Sequence, residues 1–144
     1  MKKTDPISAR WRTVDLITLA ILAVALGTAF WGYDSYLYPV VQVLTAAFPP
    51  AAELQLGVWI LPAVVGLVLV RKPGAALFAE LIAANVELLL GNTWGVTVLI
   101  SALLQAAGLE LVYLFVRNRK FRLSYVVLGA ALSALFEAFY EIFT

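Results

Sequence analysis

Long apolar runs alternate with short polar ones along the chain, and the apolar runs are long enough to be measured against a lipid bilayer. A basic start, MKKTDPISARWR, leads into an apolar stretch over 13–33. That is about the 20 residues needed to cross a hydrocarbon core at roughly 1.5 Å per residue. It is longer than the apolar core of a cleaved leader and no small-residue cleavage site follows it, so it is read as a first span. A second run covers 54–70 and stops at Arg71-Lys72-Pro73-Gly74, a tight basic turn. A third covers 75–90 and stops at Gly91-Asn92-Thr93-Trp94-Gly95, a turn by composition. The fourth, 96–116, and the fifth, 123–143, flank the basic loop 117–122. Segment 34–53 is different. Its apolar positions 40, 41, 44, 47 and 48 fall on one side of a short helix begun by Pro39 and ended by Pro49-Pro50. It is too short to span and is expected to lie over one end of the bundle as a lid. The fold class predicted is all-α, a single membrane domain over 1–144 with five transmembrane helices plus a short outer lid helix.

Composition agrees with that pattern. Of 144 residues, 63% are hydrophobic and 13% charged, and the mean hydropathy is +0.95, more apolar surface than one water-soluble core can bury. Ten basic residues nearly balance nine acidic ones, which gives no reason to expect a nucleic-acid partner. With 34–53 kept on one side, all ten basic residues fall on the same face of the membrane: the N-terminus, the 71–72 turn and the 117–122 loop. The positive-inside rule makes that face cytoplasmic, and the lid segment, the 91–95 turn and the C-terminal end are expected to face outward. Cysteine and histidine are both absent. No disulfide, thiol chemistry, haem ligation or ordinary zinc site is possible, so no metal centre, cofactor or catalytic constellation is expected.

The apolar runs nevertheless carry polar groups that are expensive to place in lipid. Glu80, Asn85 and Glu87 lie on the third span, Gln105 and Glu110 on the fourth, and Glu137, Tyr140 and Glu141 on the fifth. Counted along the helices they form two tiers. Glu80 and Glu110 stand about 8 Å from the basic end, whereas Glu87, Asn85, Gln105, Glu137 and Tyr140 lie toward the outer end. Glu80 and Glu87 are seven residues apart, so they share a face with Ala83 and Ala84 between them. If the faces converge, they enclose an outward-facing anionic pocket that a cationic or amine-bearing ligand would stabilise. The inner pair Glu80 and Glu110 is equally compatible with purely structural bonding, Gln105 with an interhelical bond, and Glu141 with simple solvation. Trp31, Tyr33, Tyr36 and Tyr38 suit an interfacial aromatic belt. Ala20, Ala23 and Gly27 form a small-residue stripe on the first span, open either to packing within the bundle or to docking of another subunit.

The string Arg71-Lys72-Pro73-Gly74-Ala75-Ala76-Leu77, followed by Glu80, Glu87, Gly91-Asn92, Gly95, Gln105, Gly108 and Glu110, resembles the membrane substrate-binding (S) component of an energy-coupling-factor (ECF) transporter. More narrowly it is similar to the YkoE family, linked to uptake of thiamine or its hydroxymethylpyrimidine precursor. The resemblance implies high-affinity capture of the vitamin at the outer surface of a bacterial plasma membrane. A transmembrane coupling protein and two cytoplasmic ATPase subunits would supply energy, and no GxxxxGK[ST] phosphate loop occurs in this chain. It further implies Glu87 and Glu80 as carboxylate partners of the ligand, Gln105 or Asn85 as amide partner, and Trp94 or a lid tyrosine as stacking surface. Trp59, Glu110, Glu137 and Tyr140 are additional candidates, and the stripe Ala20, Ala23, Gly27 resembles the alanine-rich face that docks on the coupling protein. Such components have six spans, whereas five are predicted here. A small proton- or ion-coupled carrier relaying protons through Glu80, Glu87 and Glu110 is the alternative of a different class.

Overall fold

The computed structural model describes residues 10–116 and 121–144. Segment 1–9 and residues 117–120, to which much of the expected basic face belongs, lie outside the described residues.

Helix α1, Thr13–Gly32, begins where the Arg12 backbone N–H donates to Asp15 Oδ2 at 2.9 Å. It does not stop at the predicted boundary. A π-helical turn, Tyr33–Leu37, carries it into α2, Tyr38–Thr45, giving one helix of 33 residues. The first half of segment 34–53 is thus an extension of the first span, and a lid helix separate from it is not seen. Pro39 explains the turn, because a prolyl ring inside an α-helix collides with the carbonyl four residues back. The wider π register, in which the Tyr38 N–H bonds to Tyr33 O, takes up the mismatch.

After Thr45 come a 3-10 helix, Pro49–Gln55, the single turn α3, Leu56–Trp59, and α4, Leu61–Val70, with Pro62 in its first turn. Arg71 ends α4 in the left-handed region at φ 51°, and Gly74, at φ 87°, starts α5, Ala75–Leu90. Helix α6 runs Thr97–Val116 and α7 Leu123–Phe143. Among the described residues, Thr13–Thr45, Thr97–Val116 and Leu123–Phe143 are long and apolar enough to cross a membrane, while Gly57–Val70 is shorter. Helix α5, with 16 residues, reaches only about 24 Å. Exposed Ile21, Leu89, Phe115 and Phe139 give the bundle a surface suited to lipid.

Lipid tails are as apolar as leucine, so close backbone approach, not water exclusion, holds such helices together. Gly27 meets α5: a Cβ there would lie 2.5 Å from Ala83 O and 3.0 Å from Val86 Cβ. Gly66 of α4 meets α5 in the same way, with its virtual Cβ 2.7 Å from Ala79 Cβ. Gly108 of α6 packs on Ser133 of α7, whose hydroxyl bonds to the Gln105 carbonyl. Ala23 and Gly27 are therefore buried inside this chain and closed to another subunit, and Ala20 is half-buried. Ala25 and Ala29, on another face of α1, are exposed.

The basic turn is tied down from several sides. Lys72 is buried and pairs with Asp15, and its Nζ donates to Arg10 O at 2.8 Å. The Trp11 indole donates to Pro73 O at 3.1 Å, and the Tyr113 hydroxyl donates to Arg71 O. The Arg71 guanidinium sits 5.1 Å from the Phe121 ring centroid. Asp15 is thus one anchor of this end.

Candidate functional site

At the other end of the bundle the helices leave a cavity of about 290 Å³, near the lower limit of small-molecule sites, which run roughly 300–1,000 Å³. Helix α5 places Glu80 and Glu87 on its wall, with Ala84 leaving room between them. Helix α6 adds Ser101 and Gln105, α7 adds Glu137 and Tyr140, α3 adds Trp59, and the 91–95 turn adds Trp94. Seven of the nine substrate-binding candidates named from the sequence therefore line one cavity: Glu80, Glu87, Trp94, Gln105, Glu137, Tyr140 and Trp59.

The remaining two stand elsewhere. Asn85 is exposed on the far side of α5, where its Nδ2 donates to Leu81 O at 2.7 Å. Glu110 is buried at the basic end, where its carboxylate accepts from the backbone N–H groups of Gly74 at 3.0 Å, Ala76 at 2.8 Å and Leu77 at 3.4 Å. Gly74 has no side chain to cap α5, so a carboxylate from α6 meets the orphan donors and the positive end of the helix dipole. Glu80 does related work at the cavity floor. Its Oε2 accepts from Ala63 N–H at 2.8 Å, a donor in the first turn of α4, where the chain breaks at Ile60. Glu80 and Glu110 thus each cap a different helix, and neither needs the other.

Three carboxyl and amide oxygens on the cavity wall are buried without a donor: Glu87 Oε1, Gln105 Oε1 and Glu137 Oε2. The opposite edges of two of these groups are fixed. Gln105 Nε2 donates to Ser101 Oγ at 2.8 Å, and the Ser101 hydroxyl donates to Glu137 Oε1. This relay turns the amide so that its carbonyl, not its N–H, is left over. No lysine or arginine is among the lining residues. The lining thus carries four glutamates and no basic side chain.

Aromatic rings form the rim. Trp59 meets Tyr33 and Tyr38 edge-on at 5.7 and 5.6 Å between centroids, and Tyr38 meets Trp94 at 5.4 Å. Tyr33 is held by its hydroxyl donating to Gln55 Oε1 at 2.6 Å. Of the rings expected in an interfacial belt, Tyr33 and Tyr38 join this cluster, whereas Tyr36 is exposed. Gln42, Thr97 and Ser101 also line it and were not singled out from the sequence. Each is a lone polar residue in an apolar run, indistinguishable from surface variation until the helices are placed. The exposed Glu141 stands at the mouth.

The bundle is that of a transporter S-component: the fold matches the crystal structure of an S-component of an ECF transporter with a TM-score of 0.82 and 29% sequence identity, over 94% of this chain and 67% of that one. The chain belongs to the family described as ABC-type cobalt transport system, permease component, whose model matches residues 14–136. It is 30% identical over 134 residues to the "Putative HMP/thiamine permease protein YkoE" of Bacillus subtilis (strain 168), covering 92% of this chain and 65% of that protein. The chain thus spans about two thirds of the length of the relatives it matches.

Proposed function

We infer that this chain captures a small aminopyrimidine, either the cation thiamine or its uncharged hydroxymethylpyrimidine precursor, as the substrate-binding subunit of an ECF importer. The observation that carries the reading is the set of three donor-less oxygens on residues that line one cavity, Glu87, Gln105 and Glu137, ringed by Trp59, Tyr38 and Trp94. An aminopyrimidine brings N–H donors to such oxygens, a thiazolium brings fixed positive charge to carboxylates, and both rings offer faces to aromatic edges. Glu87 is the principal carboxylate partner, Gln105 and Glu137 the amide and second carboxylate partners, and Trp94, Trp59 and Tyr38 the stacking rim. Glu80 shapes the floor while capping α4, and Glu110 stays outside binding. The relative's name, with hydroxymethylpyrimidine and thiamine in it, supports this chemistry.

The family description names cobalt, but the donor set here suits it less well. The chain has neither histidine nor cysteine, and among the described residues no three potential ligands gather around one point. The cavity opens at the end away from Arg71 and Lys72, which under the positive-inside rule is the outer side of the plasma membrane. Energy for import would come from a coupling protein and ATPase subunits.

The test is equilibrium binding to the purified chain, read from quenching of Trp59 and Trp94 fluorescence. Thiamine and hydroxymethylpyrimidine should both saturate the signal, and thiamine pyrophosphate should not, since its negative charge meets carboxylates and no basic side chain in the lining. Saturation by the pyrophosphate, or by cobalt alone, would overturn the assignment.

A further inference from the structure

Among the described residues, Arg71 is the only one other than glycine whose backbone lies in the left-handed region, at φ 51°. A residue with a side chain meets a steric cost there that glycine, the usual residue for ending a helix in this way, avoids. Strain of this kind gathers where the surrounding structure holds a side chain ready for use. Arg71 is held from three sides. The Tyr113 hydroxyl of α6 donates to its carbonyl, its Nε donates to Val68 O at 3.2 Å, and its guanidinium sits 5.1 Å from the Phe121 ring centroid. Phe121 in turn packs edge-on against Tyr113, at 6.1 Å between centroids. The two terminal amino groups of the guanidinium make no hydrogen bond or ion pair with the described residues. Arg71 thus presents an exposed, oriented fork of donors at the basic end of the bundle.

The anions of the chain at this end, among the described residues, are already committed. Asp15 pairs with Lys72 and accepts the Arg12 N–H, and Glu110 accepts the backbone N–H groups of Gly74, Ala76 and Leu77. Arg12, Arg71, Lys72 and Arg122 outnumber these two carboxylates, and all but Lys72 are exposed. The counter-ion of Arg71 must therefore come from outside the described chain. What flanks Arg71 indicates its kind. Leu69, two residues before it, is 57% exposed, and Leu123, two residues after Phe121, is 76% exposed. Phe115, near the end of α6, is 86% exposed. Apolar surface so close to an oriented guanidinium suits an anion that carries its own hydrocarbon. A guanidinium also presents paired N–H groups to two oxygens of a phosphate, which the point charge of a lysine does not.

We propose that Arg71 is the centre of a binding site for the phosphate headgroup of an anionic phospholipid. Phe121 is the platform that holds the guanidinium, Arg122 supplies a second positive charge, and Leu69 and Leu123 lie against the acyl chains. Phosphatidylglycerol has the chemistry required, one phosphodiester and one net negative charge. The site is at the opposite end of the bundle from the cavity, so the proposal stands whatever ligand is captured there. A lipid seated on Arg71 braces the turn from which α5 sets out with Glu80 and Glu87.

The test is native mass spectrometry of the full chain in detergent, with phosphatidylglycerol and phosphatidylcholine added in equal amounts. The wild type is expected to retain phosphatidylglycerol in preference. Arg71→Gly puts the residue best suited to the left-handed turn at that position, so its unfolding midpoint should not fall. Its retention of phosphatidylglycerol should drop about fivefold, equivalent to about 1 kcal/mol for one arginine at an anionic surface. Arg71→Gln should show the same loss, and Arg12→Gln, at the same end, should keep the preference. Equal retention of the two lipids by the wild type, an undiminished preference in Arg71→Gly and Arg71→Gln, or an equal loss in Arg12→Gln overturns the site. Displacement of the lipid by inorganic phosphate also overturns it, since the ligand would then be a free anion. So does a defect of Arg71→Gly confined to assembly with a coupling protein, which would make the counter-ion a carboxylate of that partner.

Discussion

Replacing Glu110 separates helix capping from ligand binding more sharply than any other change in the bundle. Its carboxylate is 5% exposed and accepts three backbone N–H groups at 3.0, 2.8 and 3.4 Å, two of them of good length. In Glu110→Ala these donors lose their acceptor in an interior that water does not readily reach. Each buried orphan costs about 1–3 kcal/mol, and the lost anion at a helix N-terminus adds roughly 0.3–1 kcal/mol. Relief from keeping a carboxylate buried offsets part of this, leaving a net loss of about 3 kcal/mol, a large share of the roughly 5–15 kcal/mol that holds a domain folded. Glu110→Gln keeps one acceptor oxygen and should lose less than half as much. The assay is thermal unfolding in detergent followed by circular dichroism, with the thiamine dissociation constant measured on the protein that remains folded. The midpoint is expected to fall in the order Glu110→Gln, then Glu110→Ala, while the dissociation constant stays within about twofold of wild type, less than 0.5 kcal/mol. Unchanged stability with weakened binding would refute the cap and return Glu110 to the ligand.

Other substitutions extend the same reasoning. Glu87→Gln removes one charge-assisted contact, worth about 1.5–3 kcal/mol, and should weaken thiamine binding roughly 10- to 150-fold; Glu141→Gln, at the exposed mouth, should change it far less, and equal losses in a titration would break the assignment. Gly27→Ala drives a methyl against the Ala83 carbonyl of α5, and overpacking of this kind costs about 1–3 kcal/mol. It should lower the unfolding midpoint of the isolated subunit, whereas a loss confined to transport in the assembled complex would make the stripe a docking face instead. Glu80→Leu strips the acceptor from Ala63 N–H and should lower both stability and affinity; normal stability would show that α4 needs no cap from α5.

Hydropathy alone places the apolar runs, and the basic strings place their ends, because both signals are local. The tiers of glutamates are visible for the same reason. What each glutamate does is not, since Glu80 and Glu110 act on backbone donors of other helices, α4 and α5. The only hints are the Pro62 break and the Pro73-Gly74 start, two helix beginnings with no capping side chain of their own. Segment 34–53 looks separable because Pro39 looks like a helix start. A π-turn instead carries the first helix through it and buries Asp34, which reads in sequence as a loop aspartate. The stripe of Ala23 and Gly27 has the spacing of an interface, and its partner turns out to be α5 of the same chain.

The most direct measurement of the central claim is isothermal titration of the purified wild-type chain with thiamine, repeated with Glu87→Gln and with thiamine pyrophosphate. The account predicts saturable one-to-one binding of thiamine, a loss of at least tenfold in Glu87→Gln at unchanged stability, and no binding of the pyrophosphate. Thiamine binding that is absent, or that is indifferent to Glu87, would contradict it.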